Sequence, residues 1–358
     1  IALFSVTSLI CALSGSFWTL TAARILQGFG AAAITSVNTA LLRIIYPKKF
    51  LGRGMGLNAL VVAVSIAAGP TIASAILSLG SWHWLFAVNV PFGIAALVIG
   101  LSHLPQNPVK TYGRRFDKTS CLMNALTFGL LIFSLEGIAH KKSAVLIVCG
   151  VVALGIIGFF FVRRQLRQRF PLLPVDLMRI PIFSLSIGTS ISSFTAQMLA
   201  MISLPFFFQN TLGRSDVATG LLLTPWPLAT MIMAPTAGRL VEKIHPGILG
   251  GIGMSIFATG LFLLATLPAH PTDMEIIWRL FVCGAGFGLF QTPNNSTIIS
   301  SAPTNRSGGA SGMLGTARLL GQTLGATLVA MIFNLVPNHS TQTCLYLAGT
   351  FAIVAGIV

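Results

Sequence analysis

The chain has 358 residues, of which 54% are hydrophobic and only 8% charged. A soluble domain carries about a quarter charged residues, so this chain could not cover its surface with polar groups, and lipid must cover it instead. The net charge of +15 would point to nucleic acid in a soluble protein, but here the basic residues sit in short gaps between apolar runs, and no nucleic-acid partner is expected.

A spanning helix needs about 20 mostly apolar residues. In chain order the apolar runs lie at roughly 1–16, 18–45, 54–79, 84–103, 119–139, 144–162, 182–210, 217–239, 247–268, 274–300, 308–335 and 342–358. The spacing predicts an all-α, polytopic membrane protein. Strand-type alternation is absent, which argues against an outer-membrane barrel. The chain begins at Ile1 inside one apolar run and ends in another at Val358, so it reads as a piece of a longer protein.

The loops set the orientation. By alternation, one side receives Arg43, Lys48, Lys49 and Arg53, then Lys110, Arg114, Arg115 and Lys118. It also receives Arg163, Arg164, Arg167, Arg169 and Arg179, then Arg239, Lys243 and Arg306. The other side receives only Lys141, Lys142 and Arg214. That asymmetry places the basic side in the cytoplasm.

The chain also repeats. Pro47–Gly56 (PKKFLGRGMG) and Pro303–Gly312 (PTNRSGGASG) each lead into a glycine-rich span. The spans before them carry Arg24, Gly28 and Gly30 in one case and Arg279, Gly284 and Gly286 in the other. Two halves in the same orientation predict a parallel-repeat transporter. The expected division is 1–103 for the rest of an N-terminal bundle, 104–181 for linkers with an inserted helix pair, and 182–358 for a C-terminal bundle.

Three arginines, Arg24, Arg279 and Arg318, fall inside spans. A charge at mid-bilayer costs at least about 2.5–3.5 kcal/mol and marks a functional site by default. No acid lies at mid-membrane; Glu136 is near the end of its run. Arg24 reads as a partner for a carboxylate or an anionic substrate group, against a structural arginine bonding helix carbonyls. Arg318 is balanced between function and structure, and Arg279 leans to structure.

Among neutral polar residues in spans, Asn38, Asn58, Gln197, Gln291, Asn294 and Asn295 are candidates for a substrate cavity, with Trp226 as aromatic surface. The alternative is interhelical hydrogen bonding. The glycine pairs Gly52/Gly56, Gly284/Gly288, Gly308/Gly312 and Gly321/Gly325 predict close helix packing. Gly69-Pro70 sits mid-span, where proline removes a backbone bond.

The five cysteines show no C-x-x-C pair, and the six histidines have no ligand spacing. No Walker motif is present, and Gly28-x-Gly30-x-x-Ala33 follows no strand. Neither a cofactor nor a metal is expected, and no catalytic cluster suggests an enzyme.

Arg24-Ile-Leu-Gln27-Gly28-Phe-Gly30-Ala-Ala resembles the fourth-helix motif R-x-x-Q-G-x-G-A-A of the major facilitator superfamily, especially its 14-helix drug:proton antiporter branch. Ser81–Gly93 is similar to that branch's S-W-R-W-I-F-x-I-N-x-P-x-G. Gly69-Pro70 falls at its antiporter motif, with Ala73 and Ser74 replacing the closing glycines. Arg115-Phe-Asp117 and Pro171–Phe183 resemble the flanks of its two extra helices, and Gly238–Lys243 its second-half loop motif, with Glu242 for an aspartate.

The resemblance implies a major facilitator fold of two six-helix bundles with two inserted helices, here lacking the first two. It implies proton-coupled export of small amphipathic or cationic drugs from the bacterial inner membrane. Arg24, Gln27 and Arg318 would serve proton coupling; Gly28, Gly30, Gly69 and Pro70 would serve gating and packing. The partners implied are the bilayer, protons and a small amphipathic substrate, with a monomeric transporter that can engage an adaptor protein. Two alternatives stand beside it. One is an exporter of a metabolite, siderophore or organic acid on the same fold; the other is a non-transporting membrane sensor.

Overall fold

The structure, a computed structural model, describes residues 1–104, 117–139, 143–168, 171, 173–268, 270–303 and 306–357. Lys110, Arg114, Arg115, Lys141, Lys142, Arg169 and Asn305 lie outside the described residues, as do the side chains of Lys48 and Pro70. The described residues contain no strand.

Each apolar run is helical. The first half holds α1 (Ala2–Ala12), α2 (Phe17–Ile45), α3 (Leu51–Leu79), α4 (Trp84–Ala87) and α5 (Asn89–His103). The middle holds α6 (Lys118–Ala139) and α7 (Ala144–Arg167). The rest is α8 (Pro181–Phe206), α9 (Asp216–Leu223), α10 (Pro225–Leu240), α11 (Pro246–Ala265), α12 (Asp273–Ser301), α13 (Ser307–Leu335) and α14 (Ser340–Ile357). Among the described residues, nine helical segments are long and apolar enough to cross a membrane by length and composition. α12 falls outside that set: its first turns carry Asp273, Glu275 and Arg279, and its second half is polar from Gln291 to Thr297.

Local chemistry sets the helix ends. Ser16 Oγ accepts from the Thr19 N–H at 3.2 Å and caps α2. Thr272 and Glu275 form a reciprocal capping box at α12. Prolines start α8, α10 and α11, where a missing N–H costs nothing. Two apolar runs are divided more finely than their hydropathy suggests. The run at 217–239 breaks at Thr224 between α9 and α10, because Pro225 cannot donate to the helical ladder. The run at 84–103 breaks at Val88, just before Pro91.

Packing divides the helices into groups. α8, α10, α11, α12, α13 and α14 surround one large apolar core that includes Leu199, Leu204, Phe257, Leu261 and Ile276. α1 packs on α2, α4 and α5. α6 and α7 pack on each other, and α6 also touches α13. Outward-facing apolar side chains such as Leu101, Val145, Phe159 and Val217 are exposed, as lipid-facing helices require.

The two halves meet through α3 against α10 and α12, and through α2 against α13. The closest approach is at the basic end. A Cβ on Gly238 would lie 2.6 Å from the Gly52 oxygen, and one on Gly56 would lie 2.7 Å from the Ala234 oxygen. Both are shorter than a carbon–oxygen contact allows, so only glycine fits. Arg43 then reaches across to the last carbonyls of α12, Ile299 O and Ala302 O (2.9 Å). Those carbonyls have no helical partner and carry the negative end of the helix dipole. Arg53 pairs with Glu242 at 2.8 Å. At the same end Arg306 grips Asp176 with two bonds of 3.0 Å. Asp117 binds the Ser120 N–H (3.0 Å), Ser120 Oγ, Arg164 and Gln168, fastening α7 to α6.

Candidate substrate cavity

A cavity of about 210 Å³ lies between the halves, beyond the glycine seam. α3 contributes Ala59, Val62 and Ala63; α8 contributes Phe194, Gln197, Met198 and Met201. α10 supplies Trp226, Pro227 and Thr230, α12 supplies Phe287 and Gln291, and α13 supplies Arg318 and Gln322. The volume is below the ~300–1,000 Å³ of drug-sized sites.

Small residues let these helices come close. A Cβ on Gly284 would lie 2.2 Å from the Trp226 oxygen, and one on Gly321 would lie 2.5 Å from Ile191 O. Thr230 Oγ donates 3.0 Å to Gly284 O, pinning α10 to α12. Thr195 Oγ does the same from α8 to Gly321 O at 3.1 Å. The wall is aromatic. Phe194 meets Phe287 edge-on at 5.6 Å, Phe287 meets Phe257 at 5.5 Å, and Phe257 meets Trp226 at 5.5 Å.

Arg318 is half-buried near the middle of α13, its guanidinium 5.0 Å from the centroid of the Phe194 ring. Its Nε is buried without a hydrogen-bond partner among the described residues, and so is Trp226 Nε1. A buried donor left unpaired costs about 1–3 kcal/mol, more when charged. Two such donors in one lining leave the site short of acceptors.

The sequence candidates separate into several places. Gln197, Trp226 and Gln291 line the cavity together with Arg318. Asn38 instead donates to Asn58 Oδ1 at 2.8 Å, joining α2 to α3. Asn294 donates to Ser190 Oγ at 2.7 Å, joining α12 to α8. Asn295 is buried beside it on α12, outside the lining. Arg24 is exposed; it donates to Gln27 Oε1 at 2.6 Å, and Gln27 donates to Ser8 Oγ at 2.6 Å. Its guanidinium lies 5.6 Å from the Phe86 ring.

Among the glycines, Gly30 touches the backbone of Phe4, with a Cβ there 2.9 Å from Phe4 N. Gly28, Gly69, Gly308 and Gly312 have open space around them. Gly69-Pro70 lies within the continuous helix α3. Sequence reasoning missed Phe194, Phe287, Thr230 and Gln322 as cavity residues, because spans this apolar carry no signal for which face turns inward.

Residues 1–326 match the family model described as Major Facilitator Superfamily. The chain belongs to the major facilitator superfamily. It is 60% identical over 358 residues to an uncharacterized transporter, YebQ, from Escherichia coli K12, covering all of this chain and 78% of that protein. It is 28% identical over 336 residues to the multidrug resistance protein Stp of Mycobacterium tuberculosis, covering 93% of this chain and 62% of Stp. Among solved structures, the human organic anion transporter MFSD10 superposes with a TM-score of 0.71 at 14% identity, over 99% of this chain and 74% of that one. The proton:xylose symporter XylE gives 0.64 at 16%, over 99% and 77%. At such identities the likeness is one of fold. The chain is a multi-pass membrane protein of a transporter family.

Proposed function

We propose that the protein exports small amphipathic compounds by alternating access, driven by proton entry, in the manner of the 14-helix drug:proton antiporters. The observation that carries this reading is a mixed aromatic and polar cavity between two helix groups that are locked together at one end. The seam at Gly52, Gly56 and Gly238, with Arg43 on α12 and Arg53 on Glu242, is a closed gate on that side. The excess of basic residues in the loops at that end supports a cytoplasmic gate in a bacterial inner membrane. The state described is then the one closed to the inside. The inserted pair α6–α7 supports the 14-helix branch, and the likeness to the multidrug resistance protein Stp and to the lincomycin resistance protein LmrB of Listeria monocytogenes, 28% identical over 332 residues, supports efflux.

Arg24, Gln27 and Ser8 form the polar network that we assign to proton coupling. It ties α1 to α2, so a change in the charge around Arg24 moves the two helices against each other. The protein works as a monomer in the bilayer, with or without an adaptor.

The test is proton-coupled dye efflux in cells making the full-length protein. Arg24→Ala is expected to lower efflux about tenfold, the size of losing one charged hydrogen bond, with the protein still in the membrane. Equal efflux from both versions rejects the coupling role. Efflux that survives an uncoupler rejects proton drive.

A further inference from the structure

We propose that the compound held in this cavity is an amphipathic organic anion, an aromatic carboxylate in the simplest case, whose negative group pairs with Arg318 and whose ring lies against Phe194, Phe287 and Trp226. The inference rests on the reading of the cavity as the substrate site. It goes against the cationic substrates that the family resemblance implies.

Charge accounting carries it. The chain has seven acids: Asp117, Glu136, Asp176, Asp216, Glu242, Asp273 and Glu275. Of those whose side chains the structure describes, none is in the lining, and several are committed elsewhere, Asp117 to Arg164, Asp176 to Arg306, Glu242 to Arg53 and Asp273 to Arg214. The described lining residues therefore offer one positive charge and no negative one. A cation entering it would meet like charge at low dielectric, where repulsion is strongest. An anion would relieve the stranded charge.

Donor geometry points the same way. The guanidinium lies over the Phe194 ring, 5.0 Å from its centroid, and its buried Nε has no partner among the described residues, so a donor of the planar fork is left for an acceptor. A carboxylate matches that fork, and bonds between ionised partners are the strong ones. Trp226 Nε1 is a second buried donor without a partner among the described residues. Gln197, Gln291 and Gln322 complete a polar side around an aromatic wall. An anionic head with a flat apolar body satisfies both.

The experiment uses inside-out membrane vesicles containing the full-length protein, energised so that the lumen is acidic. Two probes share one ring system, 1-naphthoate and 1-naphthylmethylammonium. Vesicles with the transporter are expected to accumulate naphthoate above vesicles without it, and not the ammonium probe. Arg318→Gln should cut naphthoate uptake about tenfold or more, and Arg318→Lys should keep part of it. Phe194→Leu, which keeps the charge but removes the ring beneath it, is the second variant. It should lower naphthoate uptake without admitting the ammonium probe. Accumulation of the ammonium probe alone, or an unchanged preference in Arg318→Gln, overturns the anion inference and leaves the transport reading standing. Accumulation of neither probe by membrane-inserted protein overturns both.

Discussion

Asp117 shows how one carboxylate can hold a helix pair without being buried. Its carboxyl is kept well below the ordinary carboxylate range, first by the bonds from Ser120, then by those from Gln168 and Arg164. The sign follows from linkage: a depressed pKa stabilises the fold above the unfolded value and loses that contribution as pH falls. The ordinary value is about 3.9. So the difference in melting temperature between the protein and Asp117→Asn should be constant from neutral pH down to about 5 and shrink below about 4. Thermal melts of both in detergent across that range check it. A gap that does not narrow at all between about pH 5 and about pH 2 would mean that Asp117 acts through shape and not charge. Arg318 and Trp226 are the opposite case at this scale, since Nε of the one and Nε1 of the other are buried with no partner among the described residues.

At the scale of elements, the α3–α10 crossing decides whether the basic end can close. A side chain at Gly238 would press on the Gly52 oxygen 2.6 Å away and on the α carbon of Gly56. Overpacking of this kind costs about 1–3 kcal/mol, which moves a two-state balance by roughly 5- to 150-fold. Gly238→Val should therefore open the basic end and reduce efflux. A cysteine placed at Ala59 should react faster with a maleimide supplied from that side. Gly312→Ala is the control, because a Cβ there meets nothing within 4 Å. If both variants behave alike, the seam is not the gate. The glycine pairs were legible in the sequence as small-xxx-small spacing, and three of the four pairs do sit in close contacts. Gly308/Gly312 does not, because spacing says that helices can approach but not that one is there. The spans were legible for a simpler reason: a run of apolar residues long enough to cross the bilayer must be helical when no water is present to bond its backbone. The cavity was legible only in part. Asn38 and Asn294 looked like lining residues, yet each is satisfied by a neighbouring helix through Asn58 or Ser190. Which polar residue bonds a neighbour and which faces space depends on helix rotation, and these helices are too uniformly apolar to show it.

For the whole molecule, the proton and substrate charges together set the energetics. Moving one charge through the membrane potential is worth about 2.3 kcal/mol per 100 mV. If a proton enters while a monocation leaves, the exchange is electroneutral and only the pH gradient drives it. If a proton enters while a monoanion leaves, both movements run down an inside-negative potential. The drive is then about 4.6 kcal/mol per 100 mV, or roughly three decades of accumulation. The positively charged cavity around Arg318 therefore predicts electrogenic transport. In the energised inside-out vesicles, valinomycin with equal potassium on both sides removes the potential and leaves the pH gradient. Naphthoate accumulation should fall steeply under that treatment, and less under nigericin, which removes the pH gradient instead. Uptake indifferent to valinomycin and abolished by nigericin would show an electroneutral exchange, and a one-proton, one-anion cycle could not then be the mechanism.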